Sequence, residues 1–497
     1  MNRNCSLFDN SFYWKARKEQ EKAQILVANH HLLFAHIATG GNAAGVLPPF
    51  DALVIDEAHS AEDVASSYLG MEISNLGTAK LIELIASRRS HRTVLSASKI
   101  PNRAEIESRL HDAAAEAREA TERFFENLQM EVGFEPNRSS NVRIKHRGLI
   151  SNELEQPLEK IEAVLKEGRR EAEGAQDETL VKEIEGFMNR CAEMRKSSKE
   201  ILEQMRAGYV YWASSVPRLP DGPGKAARVP RLSLHGAPIE VAREMRHSLF
   251  DQYCPVVLTS ATMTTGSSFE FLIDRLGLGK LPDIEKEEVE GEEEAKVPDP
   301  EPAEVRTLTL GSPFNYLKNV LLYVPTDLPD PTSNVTFWEE AAVKRAAEVV
   351  KRTDGRAFIL CTSFRMVDLT SRFLEKVMPE HIRILKQGSM ARGRLLDEFR
   401  SDVSSVLVGT TSFWQGVDVP GQSLSCVIIM KLPFAVPDEP LVQARVETIK
   451  KRGKDAFNEY QVPQAVMMFR QGFGRLIRTQ DDRGVVAILD PRVKTKA

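Results

Sequence analysis

The chain has 497 residues, too many for one hydrophobic core, so two to four domains are expected. It is 42% hydrophobic and 28% charged, and no apolar run nears the roughly 20 residues of a membrane span, which argues against both a membrane-embedded and a disordered chain. The net charge of −5 alone would argue against a nucleic-acid partner, but it is unevenly spread. Residues 283–305, DIEKEEVEGEEEAKVPDPEPAEV, carry net −9 and leave +4 on the remainder. Such a run cannot bury a core, so 281–306 reads as an acidic linker. The opening residues MNRNCSLFDNSFYWKARKEQ lack the apolar segment of a signal peptide. The five cysteines are scattered and odd in number, which fits a reducing compartment, and the cytoplasm is the expectation.

In chain order, ILVAN (25–29) reads as a strand entering a short helix, and LVID (53–56) as a buried strand. Continuous apolar runs of this kind suit strands covered on both faces of a parallel sheet. Residues 66–208 change character. AEIESRLHDAAAEAREATERFFENLQ and LEQPLEKIEAVLKEGRREAE have helical spacing and form an expected helical insertion. Strand character returns with GYVYWAS and PVVLTSATM, so 209–280 is expected to complete the domain begun by 1–65. Beyond the linker, NVLLYVP, RAFILCTS, SSVLVGTT, SCVIIMKLP and VVAILD alternate with helix-like stretches. Residues 307–497 therefore read as a second α/β domain with a parallel sheet.

Four constellations carry chemistry. Asp56 and Glu57 end the LVID strand. A strand-end Asp can hold Mg²⁺ beside ATP, and a neighbouring Glu can orient and deprotonate water, although Asp56 can equally cap a helix. TSAT (259–262) also ends an apolar run, and its hydroxyls, Ser260 and Thr262, can hydrogen-bond the acid pair or mark a turn. TTSFWQGVDVPG (410–421) places Gly416 where a backbone can approach closely and Asp418 as an acceptor. In RQGFGRLIRT (470–479), Gln471, Arg475 and Arg478 fall at i, i+4 and i+7, one face of an expected helix. Two guanidiniums there can grip a γ-phosphate, against the plain alternative of a solvated basic face.

Taken together, acid pair, SAT, QGVD and Q-x-x-G-R-x-x-R occur in the order of the superfamily 2 helicases, and the chain resembles the DinG/XPD-like DNA helicases. NSFYWKARKEQEKAQILVANHHLLFAH, LSLHGAPIEVAREMRHSLF, GSPFNYLKNVLLYVPTDLPDP and KLPFAVPDEP are similar to that family's landmarks. The resemblance implies an α/β chain with two RecA-like motor domains, the first interrupted by a helical Arch-like insertion. It implies ATP-dependent 5′ to 3′ translocation on single-stranded or forked DNA, in repair or replication. By it, Asp56 would hold Mg²⁺ and Glu57 would activate water. Ser260 and Thr262 would couple hydrolysis to movement, Gly416 and Asp418 would contact nucleotide or DNA, and Gln471, Arg475 and Arg478 would complete the ATP site.

The chain departs from that pattern twice. It contains no G-x-x-x-x-G-K-[ST] phosphate loop, so the first motor domain is expected to be incomplete, with the loop encoded upstream or elsewhere. Cys5 matches one iron–sulfur ligand position of the family, but Ser11 stands at the next, and serine is a poor ligand for such iron, so no cluster is expected. The alternative function is a single-stranded DNA-binding protein derived from a helicase and lacking its ATPase.

Overall fold

A computed structural model of the chain describes residues 10–135, 138–218, 228–266, 268–281, 304–410, 423–435, 438–474 and 476–494. The described residues contain twelve strands: β1 (Leu53–Ile55), β2 (Met71–Ser74), β3 (Ser140–Arg143), β4 (Tyr209–Arg218), β5 (Arg228–Pro238), β6 (Val256–Leu258), β7 (Val320–Tyr323), β8 (Ala357–Cys361), β9 (Ile384–Lys386), β10 (Val406–Thr410), β11 (Cys426–Ile429) and β12 (Gly484–Ile488). They form three sheets. One is the parallel pair β1–β6, one the six-stranded parallel sheet β7-β12-β11-β8-β10-β9, and one the antiparallel sheet β2-β5-β4-β3.

The six-stranded sheet follows from its sequence. AFILC, VLVGT and CVII are buried along their whole length, as central strands covered by helices on both faces must be. Alternation divides them. Ile359, Val408 and Ile428 join one core with Trp338 and Val343 of the helix Val335–Arg352 and Val367 of the helix Phe364–Val377. Phe358, Leu407 and Val427 join another with Phe399, Leu476 and Ile477 on the opposite face. At Gly355 (φ 71°) a Cβ would stand 1.9 Å from the Ser404 carbonyl oxygen, so only glycine allows the chain into β8 there.

The helical insertion is present as three long helices, Arg103–Val132, Glu155–Gly174 and Glu178–Glu203. The Asp177 carboxylate caps the third by accepting from the Leu180 N–H at 3.0 Å. Their shared core holds Leu110, Phe124, Leu158, Ile161, Ile184 and Ile201. That core also takes in Tyr211 and Ala213 of β4 and Leu232 and Leu234 of β5. Here the sequence expectation is corrected. The strand that begins at 209 does not rejoin the parallel sheet of β1 and β6. It pairs antiparallel with β3 and β5 and becomes the floor of the insertion. The apolar alternation of GYVYWAS marks one buried face, and the helices of the insertion are what bury it.

A second expectation also fails. ILVAN forms no strand: Ile25 is 84% and Val27 98% exposed. Apolar content makes a strand only where a neighbouring strand offers its backbone, and β1 takes β6 as its partner, in register Ile55↔Leu258. Asn29, the last residue of that run, instead caps the helix His30–Ala38 by accepting from the Leu32 N–H at 2.8 Å. The 281–306 linker falls almost wholly outside the described residues.

Candidate nucleotide site between the two parallel sheets

Because β1 and β6 are parallel and in register, both chains leave the sheet at the same edge. Asp56 and Glu57 therefore emerge beside Thr259 and Ser260, joined by the Ala58 N–H to the Thr259 carbonyl at 3.0 Å. The Thr259 hydroxyl donates to Asp56 Oδ1 at 2.6 Å. That bond, then the Glu57 N–H, holds the Asp56 carboxyl below its usual range, so it is ionised at neutral pH. Both carboxylates are exposed. The His30 Nε2 lies 2.8 Å from the Asp56 carbonyl, and the Ser60 hydroxyl lies 3.1 Å from His30 Nδ1.

Glu57 adopts left-handed backbone (φ 50°, ψ 43°), a costly conformation for a residue with a side chain. It turns the chain into the short 3₁₀ segment Ala58–Ser60 and brings His59 back towards β6. Ser260 then becomes a hub. Its hydroxyl donates to Glu57 Oε2 at 3.1 Å and accepts from the Thr262 N–H at 3.1 Å. Its remaining lone pair faces His59 Nδ1 at 2.9 Å. A hydroxyl has one proton to give, so His59 Nδ1 carries the proton of that contact, and in the neutral form of the ring Nε2 is then the acceptor. The Gln471 side-chain amide nitrogen hydrogen-bonds that Nε2. Gln471 lies on the helix Val462–Phe473, so a continuous chain of polar contacts, Glu57–Ser260–His59–Gln471, joins the first unit to the second. Beside it, Arg470 Nη1 donates to the Thr264 carbonyl at 2.9 Å.

Of the expected site residues, Asp56, Glu57, Ser260, Thr262 and Gln471 are thus brought together. Arg478 is placed differently from the expectation. The helix ends at Phe473, with the Gly474 N–H closing on the Arg470 carbonyl at 3.0 Å, so Arg478 lies beyond the helix and not on its i+7 face. Two glycines within three residues, 472 and 474, weaken the helix where the face would have continued. The Arg478 N–H donates to Asp482 Oδ2 at 2.8 Å. Arg475, Gly416, Asp418 and Cys5 lie outside the described residues, and Ser11 sits at the N-cap of the helix Phe12–Gln20.

Sequence reasoning missed His59, although it stands inside the DEAH run, because its partners Ser260 and Gln471 are remote in the chain and only the fold brings them to it. It also missed a buried ionic cluster. Glu62, 5% exposed, receives Arg275 Nε at 2.9 Å and Arg445 at 2.7 Å. Arg445, on the helix Pro440–Lys451 of the second unit, is 2% exposed and also donates to the Ile239 carbonyl (2.9 Å), Ser66 Oγ (3.0 Å) and Tyr460 Oη (3.1 Å). Burial works to raise the Glu62 carboxyl, but the Arg275 and then the Arg445 charges outweigh it and hold it low. No signal in the sequence separates these residues from surface charges.

Among the described residues no group of three or more His, Cys, Asp or Glu could cage a metal. No described helix is long and apolar enough to cross a membrane.

A polar chain from the ends of the β1–β6 pair to a helix of the second parallel unit is the kind of link a two-part nucleotide-driven motor needs, and comparison supplies the class. Residues 346–497 match the family described as the helicase C-terminal domain. The chain is 32% identical to the ATP-dependent DNA helicase YoaA of Haemophilus influenzae, over 98% of this chain and 67% of that protein. It is 30% identical to Escherichia coli YoaA over 98% and 68%, and 27% identical to Bacillus subtilis 3′-5′ exonuclease DinG over 97% and 51%. Among solved structures, Xpd4 of S. tokodaii aligns with 89% of this chain and 72% of its own, at 12% identity and a TM-score of 0.49. The chain belongs to the DinG/YoaA family of ATP-dependent DNA helicases.

Proposed function

We propose that this chain supplies the acid-pair and second-motor parts of a DNA helicase that couples ATP hydrolysis to 5′ to 3′ movement along single-stranded DNA. Asp56 is the Mg²⁺ carboxylate and Glu57 orients and deprotonates the attacking water. Ser260 and Thr262 transmit the state of Glu57 through His59 to Gln471. Arg475 and Arg478 stabilise charge on the transferring phosphoryl group. Gly416 and Asp418 contact nucleotide or DNA. The observation that carries this reading is the Glu57–Ser260–His59–Gln471 chain, because it ties the group that acts on water to the opposite motor unit. Hydrolysis can then change the contact between units, which is what a translocating motor needs.

The phosphates require a cradle that the 497 residues do not contain as a G-x-x-x-x-G-K-[ST] loop. The second reading is a single-stranded DNA-binding protein derived from a helicase and without its ATPase. The test is steady-state ATP hydrolysis, with and without single-stranded DNA, by the chain alone and by the chain preceded by the N-terminal segment of its YoaA relatives. DNA-stimulated turnover of the joined protein, lost in His59→Ala and Gln471→Ala while nucleotide binding persists, supports the motor. Unstimulated or absent turnover in the joined protein supports the binding protein.

A further inference from the structure

The outer face of the insertion's sheet is unusual. Its inner face, with Ile73, Leu234 and Ala213, belongs to the insertion's core. The register puts the outward side chains in rows across the four strands. Glu72, His235, Trp212 and Arg143 make one row, and Ser74, Ser233, Ser214 and Asn141 the next. A sheet face permanently packed on another domain is expected to be apolar, and this one is aromatic and polar. It borders a cavity of about 740 Å³, within the ~300–1,000 Å³ range of ligand pockets. The opposite wall comes from the second motor unit, including Phe434, Met467 and Met468. Arg143, in the same row, bonds Glu447 of the helix Pro440–Lys451 at 2.6 Å.

Within this cavity the Trp212 and His235 rings are parallel to within 8°, with centroids 4.8 Å apart. The Ser214 hydroxyl, 2.8 Å from His235 Nε2, holds the imidazole in that plane. Burial, against the smaller opposing effect of Glu72, keeps His235 below its usual range and hence neutral at pH 7. A rigid, uncharged aromatic stack beside hydroxyls and an amide suits a flat molecule with polar edges. The carboxylates of Asp63, Glu72 and Glu439 also line the cavity. They outnumber Arg445, the guanidinium in the same lining, and accept from amino and imino groups, so a base is favoured inside and its backbone outside.

We propose that the Trp212–His235 stack is a nucleobase platform, receiving one base of a single strand drawn between the insertion's sheet and the second motor unit. The proposal rests on the single-stranded DNA reading above and adds a base-contacting site on the insertion. The platform is sequence-tolerant, because every base has a π face.

The experiment measures binding of the full chain to labelled oligo-dT and to an abasic oligomer of the same length, at low salt, by anisotropy. Trp212→Ala is expected to weaken oligo-dT about tenfold, within the range of one base–aromatic stack, and to leave the abasic oligomer unchanged. Trp212→Phe should stay within about twofold of the parent, since a ring is retained. An unchanged preference for oligo-dT in Trp212→Ala overturns the platform and leaves the single-stranded DNA reading standing. Equal weakening of both oligomers overturns it too, by showing a general loss of structure. Binding of neither oligomer by the parent chain overturns both readings. A second measurement needs no alanine variant. The chain has four tryptophans, and quenching by oligo-dT, but not by the abasic oligomer, should shrink in Trp212→Phe. Equal quenching in parent and Trp212→Phe counts against the platform. An oligo-U arm reports whether a ribose strand is accepted at the same place.

Discussion

Replacing Arg445 by methionine should loosen the two motor units from each other. The side chain spans the junction, bonding Glu62, Ser66 and the Ile239 carbonyl on one side and Tyr460 on its own. Orphaning a buried charge costs about 3–5 kcal/mol, but Glu62 keeps Arg275, so that full penalty does not apply. What remains is the loss of three hydrogen bonds from a charged donor to buried oxygens and part of one ion pair. At about 1 kcal/mol for each bond, the total is about 3 kcal/mol. For a unit of this size that corresponds to a fall of roughly 6–12 °C in Tm. Arg445→Lys should not restore it, since an ammonium on a single stem cannot serve four oxygens in the directions a guanidinium does. Calorimetry on the parent, Arg445→Met, Glu62→Gln and the double variant measures the coupling directly. A shift below about 2 °C in Arg445→Met, or strict additivity with Glu62→Gln, would refute the junction's role.

The same cluster predicts a pH dependence. Glu62 is depressed in the folded state, so its contribution is complete above the ordinary carboxylate value of 4.5 and is lost as pH falls through the lower folded value. Arg445→Met removes one of the two depressing charges, so acid-induced loosening, followed by small-angle scattering, should begin at higher pH than in the parent. The thiols of Cys191, Cys361 and Cys426 are pushed by burial up to about 12, so brief iodoacetamide treatment of the native protein should leave them unmodified and label exposed Cys254, as peptide mapping would show. Gly277→Ala should destabilise the first unit by at least about 2 kcal/mol in urea unfolding, because its φ is 76° and a Cβ would stand 1.9 Å from the Ala242 carbonyl oxygen. Deleting residues 283–305 removes net −9, so single-stranded DNA binding should be unchanged or tighter, and weakening at fixed salt would contradict a phosphate-led interaction.

Much of the second motor unit was legible because its strands are continuous apolar runs: a parallel sheet buried on both faces forces that pattern on AFILC, VLVGT and CVII. The acid pair and TSAT were legible because strand-end chemistry is local. What sequence could not give was partner choice. GYVYWAS looks the same whether its apolar face meets the motor core or the insertion's helices, and Tyr211 and Ala213 are in the latter. ILVAN has strand composition, but Ile25 and Val27 find no neighbouring strand. The periodicity of Gln471, Arg475 and Arg478 assumed a helix that Gly474 terminates. Glu62, Arg275 and Arg445 lie 213 and 383 positions from one another's partner, counting from Glu62, and only the fold brings them into one buried site.

The role proposed for Glu57 is to act on water within a site completed by the second unit. The direct measurement is ATP turnover, with saturating single-stranded DNA, by the chain joined to a phosphate-loop segment and by its Glu57→Gln variant, which keeps the shape and removes the base. A loss of about 10²–10⁴-fold is expected, the usual worth of a positioned general base, with nucleotide affinity retained. Turnover within a few-fold of the parent would contradict it.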